Sequence, residues 1–316
     1  MNFPPTMPYI QLQPEQIGVK PPAFQIPDDV RLGIVKLQIA DLERSLDYYQ
    51  KVIGFKLKSR DDTTNKRSAL LANLSGDVLL ELVEKPGIRF APHRGRLGIY
   101  HFALLLPSQG DLGRFLANAL TFGHVGQSDH HYSEATYLVD PDGITIEVYR
   151  DRPRAEWRVT SEGEVFGGSD PLDLATLKEA AGSTSWQGLP AGTIMGHLHF
   201  YVGDLRQAEA FYHEGLGFPK MTWNFPGALF MGANGYHHHI GCNIWAAGSN
   251  PSTDDDARLL TWDLLLPNQT QLGLLEENLK HFGFETTTIE GGFSCSDTWG
   301  IRVCVKTAHS QISVAY

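Results

Sequence analysis

The sequence predicts an α+β protein assembled from four β-α-β-β-β modules, and three observations carry that prediction. Gly33–Leu42 (GIVKLQIADL) returns as Gly196–Leu205 (GHLHFYVGDL) at an offset of 163 residues, and the match runs on through Tyr49 and Tyr212 to Gly54-Phe55 and Gly217-Phe218. Leu104-Leu105-Leu106-Pro107, followed by Gln109, Leu112 and Gly113, returns as Leu264-Leu265-Leu266-Pro267, Gln269, Leu272 and Gly273 at an offset of 160 residues. Two ordered matches of that length mark a tandem duplication. Within each copy, an apolar run of strand length gives way to helical spacing and then to short strands parted by turn residues, and this happens twice.

Residues 1–30, rich in Pro and Gln, read as an arm lying on the surface or on a neighbouring subunit. Residues 31–155 form the first half, with modules opening near 32 and 99. In module one, Leu42, Leu46, Tyr49 and Ile53 are spaced 4, 3 and 4 apart, as one face of a helix requires. The four helices end at Gly54, Gly123, Gly217 and Gly283, residues suited to the left-handed backbone that closes a helix. Module two finishes with a strand over Thr136–Val139, the turn Asp140-Pro141-Asp142-Gly143, and a strand over Ile144–Tyr149. Residues 156–194 read as an ordered connector carrying Gly167-Gly168-Ser169 and a short helical pattern near Leu172–Ala181. Residues 195–316 form the second half, with modules opening near 195 and 260.

Composition removes several function classes. The chain has 316 residues and a net charge of −10 with no basic run, which argues against nucleic acid or an anionic membrane as partner. No apolar stretch reaches membrane-spanning length, and the N-terminus lacks a signal-peptide pattern. Three cysteines without metal-type spacing fit a reducing cytoplasm. Against 26 Lys plus Arg there are 13 histidines, and these are clustered.

The fourfold plan, the run GHLHFYVGDL…AFYHEGLGF and the run YLVDPDGITIEVYRDRP resemble the vicinal oxygen chelate superfamily, and within it the two-domain catechol 2,3-dioxygenases, the type I extradiol enzymes. The resemblance spans roughly residues 31–310 and is more specific for the superfamily than for the reaction. It implies two cup-like mixed sheets of the glyoxalase type, one holding a divalent metal that is chelated by two neighbouring oxygens of the substrate. The family's ligand slots lie on the opening strand of a module, usually His, and on its last strand, usually Glu. Module one has Ile34 in the first slot and keeps Glu81 late; module two has His101 and Glu147; module three has His197; module four has Thr261 and Cys304.

The surviving set is His101, Glu147 and His197, the composition of the facial triad of non-haem Fe(II) oxygenases, which leaves positions open for substrate and O₂. The resemblance implies Fe²⁺, with Mn²⁺ as the other candidate. In the better-known extradiol pattern the three ligands come from one contiguous half, whereas here modules two and three would have to share a cup across the halves. The competing arrangement keeps the first half contiguous and uses Glu81, His101 and Glu147, which is nearer to a glyoxalase or lyase.

By the same likeness, His238 in the run His237-His238-His239 is assigned to acid/base work, with His237 and His239 expected on the opposite strand face. Tyr137 and His130 are assigned to the substrate oxygens. Each has a plainer reading: a surface histidine run, a half-buried strand tyrosine, a solvated loop. His199 shares the strand face of His197 and reads as a supporting or core residue.

The implied function is Fe(II)-dependent extradiol cleavage of catechol by O₂ to 2-hydroxymuconic semialdehyde. The alternatives are a metal-dependent lyase or isomerase of the same superfamily and a metal-free protein that binds an aromatic drug. The expected partners are a small aromatic diol and O₂, and a homo-oligomer is expected.

Overall fold

The structure is a computed structural model that describes residues 12–63 and 66–308. All four modules appear. Their strands are Arg31–Ile39, Lys56–Thr63, Lys66–Ala72 and Val78–Glu84 in module one, and Gly98–Leu105, Gly126–Asp129, Ser133–Val139 and Thr145–Asp151 in module two. Module three has Ile194–Tyr201, Lys220–Thr222, Ala228–Met231 and Ile240–Asn243, and module four has Arg258–Leu266, Thr287–Ile289, Gly292–Ser296 and Arg302–Thr307.

The helix of each module starts one way. Asp41, Ser108, Asp204 and Asn268 stand at the N-caps, and each side chain accepts a hydrogen bond from the backbone N–H three residues on. That satisfies one of the otherwise orphaned N–H groups at a helix start. Gly54, Gly123, Gly217 and Gly283 follow the helices with φ of 95°, 152°, 79° and 82°. In modules one and three the helix differs from the simple expectation: its last turn widens into a π-helix over Tyr49–Ile53 and Glu209–Gly215.

A second device is shared by the two halves. The hydroxyl of Tyr49 donates to Asp140 at 2.8 Å, and that of Tyr212 donates to Asp297 at 3.0 Å. Each aspartate also accepts from backbone N–H groups across its own turn. The odd-numbered module of each half is thereby pinned to the last hairpin of the even-numbered one.

The sheets do not follow the halves. Modules four and one form one eight-stranded sheet, and modules three and two form another. In both, the opening strands meet antiparallel at the centre, and each module runs outward through its last, third and second strands. Strand alternation sends one set of side chains to the back of each sheet. There Val35, Leu37, Trp262 and Leu264 of one sheet join Phe102, Leu104, Leu198 and Phe200 of the other in a single buried core. The opposite faces are the concave ones.

The connector is ordered and packed: it holds a two-stranded ribbon, Arg158–Val159 with Val165–Phe166, and the helix Leu174–Ala181. Gly113 and Leu177 show how tightly that helix docks, because a Cβ on Gly113 would lie 2.2 Å from the Leu177 carbonyl oxygen. The described part of the N-terminal arm lies on the second half, where Val19 bridges to Lys220 and the Ile26 N–H bonds to the Gly217 carbonyl; residues 1–11 lie outside the described set. No described helix is long and apolar enough to cross a membrane.

Candidate metal centre and substrate cavity

On the concave face of the sheet made by modules two and three, the strands bring His101, Glu147 and His197 together. The opening strands pair so that His197 faces Ala103, while Ala103 also faces Glu147 on its other side. A methyl group at this central position leaves room for the larger side chains to lean toward one another. His101 Nε2 lies 3.1 Å from Glu147 Oε2 and 3.3 Å from His197 Nε2, and His197 Nε2 lies 3.2 Å from the same Glu147 oxygen. All three residues are buried.

The triangle fits a metal. Bonds of about 2.1 Å set at right angles hold neighbouring donors about 3.0 Å apart, and at the tetrahedral angle about 3.4 Å apart. The three observed separations fall between those limits, so one divalent ion can touch all three atoms. Protonation agrees. Burial drives His101 down to about 3, opposed only in part by the Glu147 carboxylate. Burial alone would raise Glu147, but the His197 and His101 imidazoles outweigh it and hold the carboxyl below its ordinary range. A neutral imidazole and an ionised carboxylate are the forms that bind metal.

The triad forms the floor of a cavity of about 380 Å³, within the size range of small-ligand sites. Tyr100, Phe225, Phe230 and Trp245 make one apolar wall. Ser128, Gly167, Gly168 and Ser169 make another, so the connector's Gly-Gly-Ser is part of the site. Those glycines are needed for close approach: a Cβ on Gly167 would lie 2.6 Å from the Tyr132 ring, and one on Gly168 2.5 Å from the His131 ring.

His238 lines the cavity, its ring centroid 4.2 Å from that of His197. Burial, reinforced by the surrounding His197, His237 and His199, holds it neutral. The expectation that His237 turns to the opposite face fails. Residues 237–239 lie before the strand Ile240–Asn243, so two-residue alternation does not apply to them. His237 instead packs beside His238, with Nδ1 of each ring 2.8 Å apart, while its Nε2 lies 2.9 Å from Asp151.

Tyr137 and His130 both line the cavity and bind each other, Tyr137 Oη to His130 Nε2 at 2.6 Å. His130 Nδ1 is 2.7 Å from the Gly168 carbonyl, which can only accept, so Nδ1 carries the proton and Nε2 accepts from Tyr137. Direct donation from neutral His130 to a substrate oxygen is therefore not available in this arrangement. Its neighbour His131 turns outward, its Nε2 lying 2.7 Å from an Asp170 carboxylate oxygen. His199 supports the floor: its Nε2 accepts from Asn243 at 2.9 Å, and its ring meets that of His101 edge-on.

Glu81 stands in the other sheet, ion-paired with Lys36 at 2.7 Å, so the one-histidine, two-carboxylate arrangement with His101 and Glu147 is not assembled. Sequence reasoning missed Asp151 and the aromatic wall. Asp151 lies on the strand face of Glu147 by alternation, which was the available signal; Tyr100, Phe230 and Trp245 carry none, because they come from different modules and loops.

Comparison with known proteins gives the family and the fold. The profile of the Glyoxalase/Bleomycin resistance protein/Dioxygenase superfamily matches residues 31–148. Catechol-2,3-dioxygenase of Bacillus subtilis (strain 168) is 42% identical over 276 residues, which cover 86% of this chain and 95% of that protein. Lactoylglutathione lyase of Pseudomonas putida is 28% identical over 144 residues, covering 37% of this chain and 83% of that one. Among solved structures, one from Bacillus subtilis subsp. subtilis str. 168 superposes with a TM-score of 0.63 at 10% identity, covering 90% of this chain and 86% of its own. Glyoxalase I from Zea mays superposes with a TM-score of 0.55 at 15% identity, covering 90% and 94%. At such identities the two structures speak for the fold alone. The relation to the Bacillus sequence carries more, and the chain belongs to the Glyoxalase/Bleomycin resistance protein/Dioxygenase superfamily, as an enzyme of its catechol-2,3-dioxygenase-like branch.

Proposed function

We propose that this chain is an Fe(II)-dependent extradiol dioxygenase that opens catechol with O₂ to 2-hydroxymuconic semialdehyde. The observation that supports it most is the convergence of His101 Nε2, His197 Nε2 and Glu147 Oε2 within 3.3 Å at the floor of an aromatic-walled cavity. His101, Glu147 and His197 would hold the iron, which when bound would supply the Lewis-acid and redox chemistry that the side chains lack.

The chain's own residues do the rest. Tyr100, Phe225, Phe230 and Trp245 enclose a planar ring and exclude water. Neutral His238 stands over the triad as the base that takes a hydroxyl proton. Tyr137 donates a hydrogen bond to His130 and leaves its oxygen lone pairs to accept from the second hydroxyl. Among the described residues lining the cavity there is no Lys or Arg. A ring carboxylate would find no counter-ion there, so the preferred substrate is an uncharged catechol.

The test is anaerobic loading with Fe²⁺, then catechol and air. Uptake of one O₂ per catechol with appearance of the ring-opened semialdehyde is the expected result. The 28% identity to lactoylglutathione lyase keeps a lyase or isomerase as the second reading. Full zinc occupancy, with no O₂ uptake from any catechol after iron loading, would establish that reading instead.

A further inference from the structure

His238 ends a hydrogen-bonded line that no part of the proposed reaction has yet used. Asp151, on the last strand of module two, is partly open to solvent, with a side-chain exposure of 23%. Its Oδ1 lies 2.9 Å from Nε2 of His237, which is fully enclosed, and His237 Nδ1 lies 2.8 Å from Nδ1 of His238. Three side chains from two modules thus run from the cavity toward the surface. The ring of His237 is held in place by stacking on Tyr132, with centroids 4.3 Å apart and planes within 14°.

The partners dictate where the protons sit. A carboxylate only accepts, so His237 gives Asp151 its Nε2–H and keeps a bare lone pair at Nδ1. Two bare nitrogens cannot face each other at hydrogen-bond distance, so His238 Nδ1 carries the proton and donates to His237. That leaves His238 Nε2 as a lone pair, and among the described residues it has no protein hydrogen-bond partner, while the ring lines the cavity.

We propose that Asp151 and His237 are positioning residues that lock His238 in the Nδ1–H tautomer, so that its Nε2 is the proton acceptor toward the substrate. One hydroxyl proton then moves to Nε2, and the positive charge this creates on His238 is balanced through His237 by the Asp151 carboxylate. The proton is returned from Nε2 when the ring-opened product takes it up. The role of the lock rests on the dioxygenase reading; its geometry does not.

The experiment has two arms. In the first, ¹⁵N-histidine NMR on zinc-loaded protein reports the tautomer without any turnover. His238 is expected as Nδ1–H in the native protein, and as a mixture or as Nε2–H in Asp151→Ala and in His237→Phe, the second keeping a ring for Tyr132 to stack on. In the second arm, the iron-loaded Asp151→Ala enzyme is expected to lose about 10- to 100-fold in kcat, the range for removing a supporting partner. KM and iron content should stay within about twofold of the native enzyme by that reasoning, and Asp151→Glu should recover part of the loss. An Nε2–H tautomer in the native protein, or an unchanged tautomer in whichever variant folds, overturns the lock. Native tautomer as expected but no ring cleavage in the unmutated enzyme overturns only the dioxygenase reading.

Discussion

In the sheet of modules two and three, the slots for metal ligands hold His101, Glu147 and His197, with Gly241 in the fourth by register. The sheet of modules four and one has the same strand order, yet its corresponding slots hold Thr261, Cys304, Ile34 and Glu81. Its concave face encloses a polar cup rather than an aromatic one. Lys36 pairs with Glu81 at 2.7 Å, Lys306 pairs with Asp263 at 3.0 Å, and Arg258 and Arg302 also line the space. By the repeat offset Lys36 occupies the place of His199, and by strand register Lys306 occupies that of Tyr149.

The difference teaches how little of the scaffold decides the chemistry. Both cups have the same strand connections, N-caps, tyrosine–aspartate pins and shared core. One gathers two imidazoles around one carboxylate, with no Lys or Arg among its described lining residues. The other sets two ammonium groups beside the remaining carboxylates, so their charge is already neutralised and a divalent cation would meet like charge. Fold and function are therefore set by different subsets of residues on the same strands, those on the back and those on the front.

The comparison can be broken most directly at the paired slots. His101→Ala should remove bound metal and lower ring cleavage by far more than the roughly 100-fold ceiling of a supporting residue, while Thr261→Ala at the matching slot should change neither. Metal analysis and O₂ uptake check both, and metal retained in His101→Ala would refute the assignment. Next in size is substrate charge. The active cup has no cationic wall, whereas the partner cup has four such side chains. Catechol and methylcatechols should exceed carboxylated catechols in kcat/KM by about 100-fold or more, since an unpaired buried carboxylate loses at least 2 to 3 kcal/mol, roughly, of solvation. Equal kcat/KM values would show that charge is read elsewhere.

A smaller effect belongs to the partner cup alone. Lys306→Met takes the ammonium from the largely buried Asp263, whose side chain is 8% exposed, and should reduce unfolding free energy by about 1 to 3 kcal/mol with turnover unchanged. Urea titration measures it. The smallest effect tests what the cups share. Burial raises Asp140 to about 7 and Asp297 to about 6, despite the hydrogen bonds that oppose it. A carboxyl raised on folding contributes stability that is complete below its unfolded pKa of about 3.9 and is lost as pH rises through the folded value. Stability at constant metal content should therefore fall between about pH 4 and pH 7, less steeply in Asp140→Asn than in Asp297→Asn. A slope that neither substitution alters would separate these turns from the pH response.

Much was legible along the chain alone, for identifiable reasons. The repeat and the switch of hydrophobic period are local and one-dimensional, so they exposed the four modules, the helix ends at Gly54, Gly123, Gly217 and Gly283, and the turn at Asp140–Gly143. His101, Glu147 and His197 could be nominated because the same slots recur in each module and the others have lost their ligands. The aromatic wall, the cavity-lining Gly167–Ser169 and the pair His130–Tyr137 could not be read, because each joins residues from separate elements whose distance no periodicity encodes. The alternation applied to His237–His239 misled because those residues precede the strand.

By itself the sequence determined the modules, the glycines that end their helices and the turn at Asp140–Gly143, all of which depend on near neighbours along the chain. Only the tertiary structure decided that modules two and three share a sheet, and therefore that three groups from opposite halves converge on one point. The physical reason is pairing: opening strands at the sheet centre hydrogen-bond across the halves, and that register, invisible along the chain, places Ala103 between His197 and Glu147.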